Sequence, residues 1–200
     1  MRIPLFEERG PSGGSICGSS SAMPISDEKT LEEWGFLNHT SEDLVRKIKG
    51  RARDLFLKRQ MLCTEAVFTV LNQSLRGGLP SEVALRLASG LTDGLGGNGC
   101  LCGAMNGGIL GLGLFLGKNK PGLLSGRKIR SRTKLFYKQF VKRAGSTCCR
   151  ILTREVKQNS EAHFRQCAEL TGAAAEIAVR IILGDRPELA EQADWSDLSD

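Results

Sequence analysis

A glycine-rich segment without any charge is the feature that most constrains the fold of this 200-residue chain. Residues 101–116 read LCGAMNGGILGLGLFL, and Gly103, Gly107 and Gly111 recur every four residues. Each glycine costs a helix about 1 kcal/mol relative to alanine, so this helix needs tight packing by its neighbours. Because the glycine stripe carries no side chains, a neighbouring backbone can approach it closely. We therefore predict a buried central helix, too short to supply the roughly 20 apolar residues of a membrane span.

The remaining sequence predicts further helices around this one. From Thr40 onward apolar residues recur with helical spacing, and Thr40 or Ser41 is expected to cap the helix. The residues that share its apolar face are Leu44, Ile48, Leu55 and Phe56. Further helices are predicted over residues 63–75, 81–91 (capped by Ser81), 134–143, 146–156 and 160–184. Because no segment alternates with the period of a strand, we predict an all-α, compact multi-helix bundle.

Composition divides the chain into three regions. Residues 1–39 are predicted to form a flexible N-terminal arm with a short packing element. Residues 40–184 are predicted to form one helical, cysteine-containing domain, and residues 185–200 are predicted to form an acidic C-terminal tail. The chain starts without the apolar stretch of a signal peptide, so we expect a cytoplasmic protein with reduced thiols. The odd number of seven cysteines also argues against a disulfide framework.

The cysteines coincide with predicted helix starts. Cys63, Cys102 and Cys149 open helices, and Cys167 lies two turns into the last one. A helix N-terminus favours negative charge, so we expect lowered thiol pKa values there. Glycines around Cys102 allow backbone amides or an inorganic sulfide to approach its sulfur. Inert buried thiols are the simplest alternative, and Cys17, in the N-terminal arm, is poorly placed for a buried site.

Four sequence blocks carry a family resemblance that extends over residues 40–184. The blocks are CTEAV at Cys63, CGAMNG at Cys102, CCRIL at Cys149 and QCAEL at Cys167, with LTDGLGGNG before the second block. They resemble the C_GCAxxG_C_C family of redox-active proteins and are similar to the iron–sulfur module of split-Soret-type cytochromes.

The resemblance implies that an iron–sulfur cluster, [2Fe-2S] rather than [4Fe-4S], is bound by four thiolates, with Gly99 and Gly103 beside it. The implied ligands are Cys63, Cys102, Cys149 and Cys167. It further implies an electron carrier rather than an enzyme that turns over a small substrate.

Several alternatives remain open. Cys100 and Cys148 stand beside matched positions and are alternative ligands. The close pairs Cys100/Cys102 and Cys148/Cys149 are also suited to thiol–disulfide chemistry without a metal. A zinc site would use the same thiolates but usually shows Cys-x-x-Cys pairs. Without a Cys-x-x-Cys-His motif, covalent haem is not expected. His163, one turn before Cys167, is a fifth ligand, a proton partner or simply solvated.

The charge distribution suggests a partner. Between Lys118 and Arg154 lie twelve Lys or Arg residues and no acid. Such a stretch predicts docking of an acidic redox partner or, less favoured, nucleic-acid binding. The cations proposed to contact phosphate are Lys128, Arg130, Arg132 and Lys134. A solvated face countered by the chain's own acidic tail is the third interpretation, and a homodimer stays open. The chain has no P-loop, and GLGGNG follows no strand, so neither predicts a nucleotide site.

Overall fold

The computed structural model describes residues 38–122 and 126–196, and these ranges fold as an all-α bundle, as predicted. The helices are α1 His39–Leu57, α2 Cys63–Ser74, α3 Ser81–Ser89, α4 Thr92–Leu95, α5 Gly103–Leu116, α6 Arg127–Ala144, α7 Cys149–Leu152, α8 Glu161–Asp185 and α9 Glu188–Glu191. Within these ranges, extended pairing is limited to one isolated antiparallel bridge between Leu101 and Cys148. The predicted N-terminal arm, including Cys17, lies outside the described residues.

The glycine-rich helix α5 is central, as predicted. It packs against α2, α6 and α8, while the long helix α8 also packs along α1. The core buries side chains from all of these helices, including Leu44 and Ile48 of α1, Leu71 of α2, Leu112 of α5 and Phe136 of α6. Helices α2, α5 and α8 pack against one another. The first residues of α2 and α5 meet inside the bundle, where Gly103 lies against Cys63.

The glycine stripe of α5 faces α2. A Cβ added to Gly107 would stand 2.7 Å from the carbonyl oxygen of Thr64, and one added to Gly111 would stand 2.4 Å from Cδ1 of Leu71. Protein interiors are packed so closely that such contacts leave no room for a methyl group. The predicted close approach of two helices along the stripe is therefore confirmed.

Three local predictions are wrong. Asn38 caps α1 by accepting a hydrogen bond from the Ser41 N–H (2.8 Å), so neither Thr40 nor Ser41 is the cap. Pro80, not Ser81, occupies the N-cap of α3, and no side chain bonds there. The helix predicted over 146–156 is a single turn, because the residues before Cys149 pair with the segment before α5.

The last described residues pack against the helical bundle. Leu189, Ala190 and Ala193 are buried, and the Asp194 N–H donates to the carbonyl oxygen of Ser74 (2.9 Å). Across residues 38–122 and 126–196, no helix is both long enough and apolar enough to cross a membrane.

Candidate functional site

Four cysteines from four helical segments converge where α2 and α5 begin. Cys63 is the first residue of α2, Cys102 is the N-cap of α5, and Cys149 is the first residue of α7. Cys167 lies in the second turn of α8. We call these four residues the cysteine quartet. Cys63 and Cys102 are buried, whereas Cys149 and Cys167 are partly exposed, and no disulfide joins the described cysteines.

The quartet thiols lie within electrostatic reach of one another. Burial, together with nearby charge on Cys63 and Cys149, raises the pKa of Cys102 to about 12. Burial likewise raises the pKa of Cys167 to about 12, with contributions from the other three quartet thiols. The pKa of Cys149 rises to about 11, through burial first and then Cys63. The fold therefore brings together the four cysteines selected from the sequence.

The prediction of lowered thiol pKa values is wrong for the metal-free chain. Backbone N–H groups of Asp93 and Thr64 do lower the pKa of Cys63, but burial outweighs them and the net shift is upward. At Cys102, hydrogen bonds from the N–H groups of Ala104 and Met105 also lower the pKa of the thiol, and burial again outweighs them. Desolvation of a thiolate exceeds the benefit of a helix N-terminus at these positions.

Gly103 creates the space that Cys63 occupies. A Cβ on Gly103 would stand 2.2 Å from the Sγ of Cys63 and 2.8 Å from Oγ1 of Thr64. Beside it, the buried Thr64 hydroxyl lies 2.9 Å from the carbonyl oxygens of both Gly103 and Leu91. The start of α2 is thereby held against the start of α5, with the sulfur between them.

A short backbone pairing connects α5 to α7. The Cys102 N–H donates to the carbonyl oxygen of Thr147 (2.8 Å), and the Cys149 N–H donates to that of Cys100 (2.6 Å). These two bonds flank the bridge between Leu101 and Cys148. Because side chains alternate sides along extended backbone, Cys102 and Cys149 belong to one side of the pairing and Cys148 to the other. This register separates Cys149 from its neighbour Cys148, whereas Cys100 stays on the same side as Cys102.

The turn before α5 has a left-handed backbone conformation and lies against the quartet at Cys149. Gly94 has φ +68°, and a Cβ there would stand 2.6 Å from the backbone nitrogen of Cys100 and 2.8 Å from the Cβ of Cys149. Only glycine combines this conformation with such a close approach. Asp93 precedes it with φ 49°, a conformation that Asp tolerates better than most residues.

Asp93 is a site residue that the sequence reasoning missed. Its carboxylate raises the pKa values of Cys63, Cys149 and Cys167, behind burial in each case. The residue is exposed, so it places a negative charge at the surface side of the quartet. A single acid inside a glycine-rich turn gave no periodic or motif signal that would have selected it.

The two cysteines predicted as alternative ligands, Cys100 and Cys148, lie next to the quartet, and the charge of Cys148 contributes to the raised pKa of Cys149. Cys100 is exposed. Cys148 is buried, and its Sγ donates to the carbonyl oxygen of Gly99 at 3.4 Å. Gly99, predicted beside a cofactor, has φ +65°, and a Cβ there would meet Arg150 at 3.2 Å. The side chain of Arg150 covers this turn and donates to the Asn98 carbonyl oxygen (2.9 Å).

His163 has a local structural role. Its Nδ1 accepts a hydrogen bond from the Asn159 N–H at 3.1 Å, and its ring packs 5.7 Å from that of Phe164. This bond occupies one ring nitrogen at the start of α8. In the described part of the chain, no three His, Cys, Asp or Glu side chains are arranged to hold one metal ion.

The basic helix α6 is partly neutralised within the fold. Arg132 forms a two-point ion pair with Asp185 (2.7 and 2.6 Å), and Lys128 lies 3.5 Å from the same carboxylate. Two of the four cations proposed to contact phosphate are therefore engaged by an acid of the chain itself. This contact supports the interpretation that the positive charge of α6 is neutralised by acidic residues of the chain itself.

One comparison identifies the family. The model of the family described as "Putative redox-active protein (C_GCAxxG_C_C)" matches residues 61–181. The chain belongs to this family. The matched range holds all four members of the quartet and the bridge between Leu101 and Cys148. Searches of curated proteins and of solved structures returned no match.

Proposed function

We propose that this chain is a redox protein that binds an iron–sulfur cluster through the thiolates of the cysteine quartet. The observation that carries the proposal is the convergence of Cys63, Cys102, Cys149 and Cys167 from four helical segments into one partly buried group. Membership of a family described as redox-active supports the same chemistry.

The donor set suits such a cluster. Iron–sulfur clusters are held by cysteine thiolates, four in the simplest case. Amide hydrogen bonds to the sulfurs tune such centres, and backbone N–H groups reach the Sγ atoms of Cys63 and Cys102. Gly103 leaves room for the Sγ of Cys63 at the start of α5, so this sulfur lies close to that of Cys102.

We propose a cluster rather than a single zinc ion, because the sequence contains no Cys-x-x-Cys pair. A tetrahedral zinc site needs its four ligands around a single ion, at about 2.3 Å from it for thiolates, and the described side chains form no such group. A cluster distributes its thiolates over several iron atoms and so accepts ligands that stand farther apart. We propose [2Fe-2S] as the cluster type.

Electron exchange with protein partners completes the proposal. A bound cluster would accept and release single electrons. Cys149 and Cys167 form the partly exposed edge of the quartet, and α6 ends five residues before Cys149 with the basic pair Lys142 and Arg143. An acidic redox partner is the partner chemistry that this arrangement suits, because opposite charges accelerate association.

Anaerobic reconstitution of the full chain with ferrous iron and sulfide tests the proposal. Iron, acid-labile sulfide and visible absorption are measured on the wild type and on single Ser variants of the four quartet residues. We expect each of these variants to lose the cluster. Cys148→Ser is the matched control, because Cys148 is also buried and stands next to a quartet member but belongs to the opposite side of the bridge. Cys17→Ser is the second control.

The outcomes separate the alternatives. Retention of full iron content by Cys63→Ser or Cys102→Ser, with a circular dichroism spectrum unchanged from wild type, would contradict the ligand assignment. A wild type that takes up no iron but changes its thiol count reversibly with a dithiol reductant would support thiol–disulfide chemistry. Cys63 and Cys102 are the pair that favours this second candidate, because both are buried and Cys63 is close enough to raise the pKa of Cys102.

A further inference from the structure

Cys100 and Cys149 occupy facing positions on the two paired segments. The bridge joins Leu101 to Cys148, so the residue before Leu101 faces the residue after Cys148. The Cys149 N–H donates to the carbonyl oxygen of Cys100 at 2.6 Å, and the next residue, Arg150, donates to Gly99 at 3.0 Å. Both bonds run from the first turn of α7 to the segment before α5, so the two backbones stay in contact at this pair.

This geometry suits a disulfide. Standard bond lengths on either side of the 2.6 Å hydrogen bond keep the Cα atoms of Cys100 and Cys149 within about 6.5 Å of each other, compatible with the range of about 4.4–6.8 Å found for disulfides. Both residues also lie against Gly94, whose missing Cβ would stand 2.6 Å from the backbone nitrogen of Cys100 and 2.8 Å from the Cβ of Cys149. Cys149 is the first residue of α7, so a rotation of its side chain toward Cys100 is the movement that brings the two sulfurs together.

We propose that Cys100 and Cys149 form a reversible disulfide, which withdraws Cys149 from the quartet. The withdrawal of a ligand rests on the proposed function, whereas the disulfide itself does not. The oxidant would be a low-molecular-weight disulfide such as oxidised glutathione. Cys100 is exposed and so is reached first, whereas Cys149 is partly covered.

The exchange balances in two steps. The Cys100 sulfur, having lost its proton, attacks one sulfur of the small disulfide, and a mixed disulfide forms as one glutathione thiolate leaves. The Cys149 sulfur then loses its proton and attacks Sγ of Cys100, and the second glutathione thiolate leaves. The two protons pass to the two leaving thiolates. Two protein thiols are thus oxidised to one disulfide while one glutathione disulfide is reduced to two thiols.

The consequence is competition between oxidation and cluster binding. A sulfur in the Cys100–Cys149 disulfide has no thiolate to offer a metal, so the oxidised chain would retain only Cys63, Cys102 and Cys167 of the quartet. Cluster binding at Cys149 would in turn protect that residue from exchange. Because Cys100 is exposed, the ratio of small-molecule thiols to disulfides in solution would control how much of the chain can bind a cluster.

Disulfide mapping on the reduced, metal-free full chain tests the proposal. The chain is incubated with oxidised glutathione, free thiols are alkylated, and trypsin is added. We expect peptide 87–118, which holds Cys100 and Cys102, to be linked to peptide 144–150, which holds Cys148 and Cys149. Fragmentation assigns the sulfurs within this linked pair.

Single variants give the assignment a second, independent basis. The link should be lost in Cys100→Ser and in Cys149→Ser. It should persist in Cys102→Ser and in Cys148→Ser, the matched controls for each peptide. A link that instead depends on Cys102 or Cys148, or glutathione that stays attached to Cys100 without any link, would overturn the inference.

Loading with iron and sulfide separates this inference from the proposed function. If iron is bound and the link then fails to form, both proposals are supported. If the chain takes up no iron but the link still forms in the metal-free protein, the proposed function fails and the disulfide stands. If iron is bound but the metal-free chain never forms the link, the disulfide inference fails alone.

Discussion

Gly103 and Cys63 are in direct contact across the α5–α2 interface, and the contact excludes any larger residue than glycine. A Cβ on Gly103 would stand 2.2 Å from the Cys63 sulfur, where real Cβ atoms essentially never approach. The glycine beside Cys102 therefore leaves the space that a second cysteine of the quartet occupies. The packing of α5 on α2 and the position of the Cys63 sulfur both depend on the absence of a side chain at Gly103.

Gly103→Ala should destabilise the metal-free chain and reduce cluster loading. The added methyl group must displace either the Cys63 sulfur or the start of α5, and overpacking of this kind costs about 1–3 kcal/mol. Urea unfolding and iron content after reconstitution measure the two effects. Gly113→Ala is the matched control in the same helix, because a Cβ there meets nothing within 4 Å. It should raise stability by up to about 1 kcal/mol through helix propensity.

Gly107→Ala should separate packing from the site. A Cβ there would stand 2.7 Å from the carbonyl oxygen of Thr64 and 2.7 Å from the Cβ of Val67, one turn away from Cys102. We expect a loss of about 1–3 kcal/mol in the free energy of unfolding, with iron bound per folded chain close to wild type. An iron content that falls as far as in Gly103→Ala would mean that the stripe acts only through overall stability.

Asp93→Asn should raise the reduction potential of the reconstituted chain. The carboxylate lies close enough to Cys63, Cys149 and Cys167 to disfavour further negative charge there. Removing its charge makes the gain of an electron easier. Asn tolerates the left-handed backbone of this position, so the fold should be kept. A redox titration measures the shift, and a potential equal to that of wild type would show that solvent screens the carboxylate fully.

Asp185 should make the chain sensitive to acid. Burial alone would raise the pKa of Asp185, but the hydrogen bonds and charge of Arg132, with Lys128, outweigh it, and the net pKa lies below the ordinary 3.8. A carboxyl with a lowered folded-state pKa contributes stability that is present above the unfolded-state pKa and is lost as the pH falls through the folded-state value. The wild type should therefore lose this contribution at pH values below about 4.

Asp185→Asn tests the pairing. This variant should be less stable at pH 7 by roughly 1–3 kcal/mol, as expected for lost charge-assisted hydrogen bonds, and should lose less of its remaining stability on acidification. Chemical unfolding at several pH values measures both effects. Glu155→Gln is the control, because its pair with Arg154 is exposed and should contribute little. Equal acid profiles for wild type and Asp185→Asn would contradict this account.

Much of the helical framework was readable from hydrophobic spacing. The boundaries of α1, α2 and α8 follow the apolar periodicity, and glycines at every fourth position identified the face of α5 that contacts α2. The start of α6 was less readable, because residues 127–133 are mainly basic and polar and show little apolar periodicity. Helix α7 was overpredicted, because a bridge of one residue pair over a long sequence separation leaves no local pattern.

The site was readable in part. Family resemblance and helix starts selected Cys63, Cys102, Cys149 and Cys167, and the fold brings their thiols together. The direction of their pKa shifts was not readable, because it depends on how deeply each sulfur is buried, which only tertiary packing determines. The side of the bridge on which Cys148 lies was likewise fixed by register rather than by sequence spacing.

The most direct test of the central claim is the iron and acid-labile sulfide content of the full chain purified without oxygen. The account predicts roughly two irons and two sulfides per chain, held by four cysteines, with visible absorption that bleaches on reduction with dithionite. A chain that stays colourless and free of iron, both as purified and after anaerobic reconstitution with iron and sulfide, would contradict it.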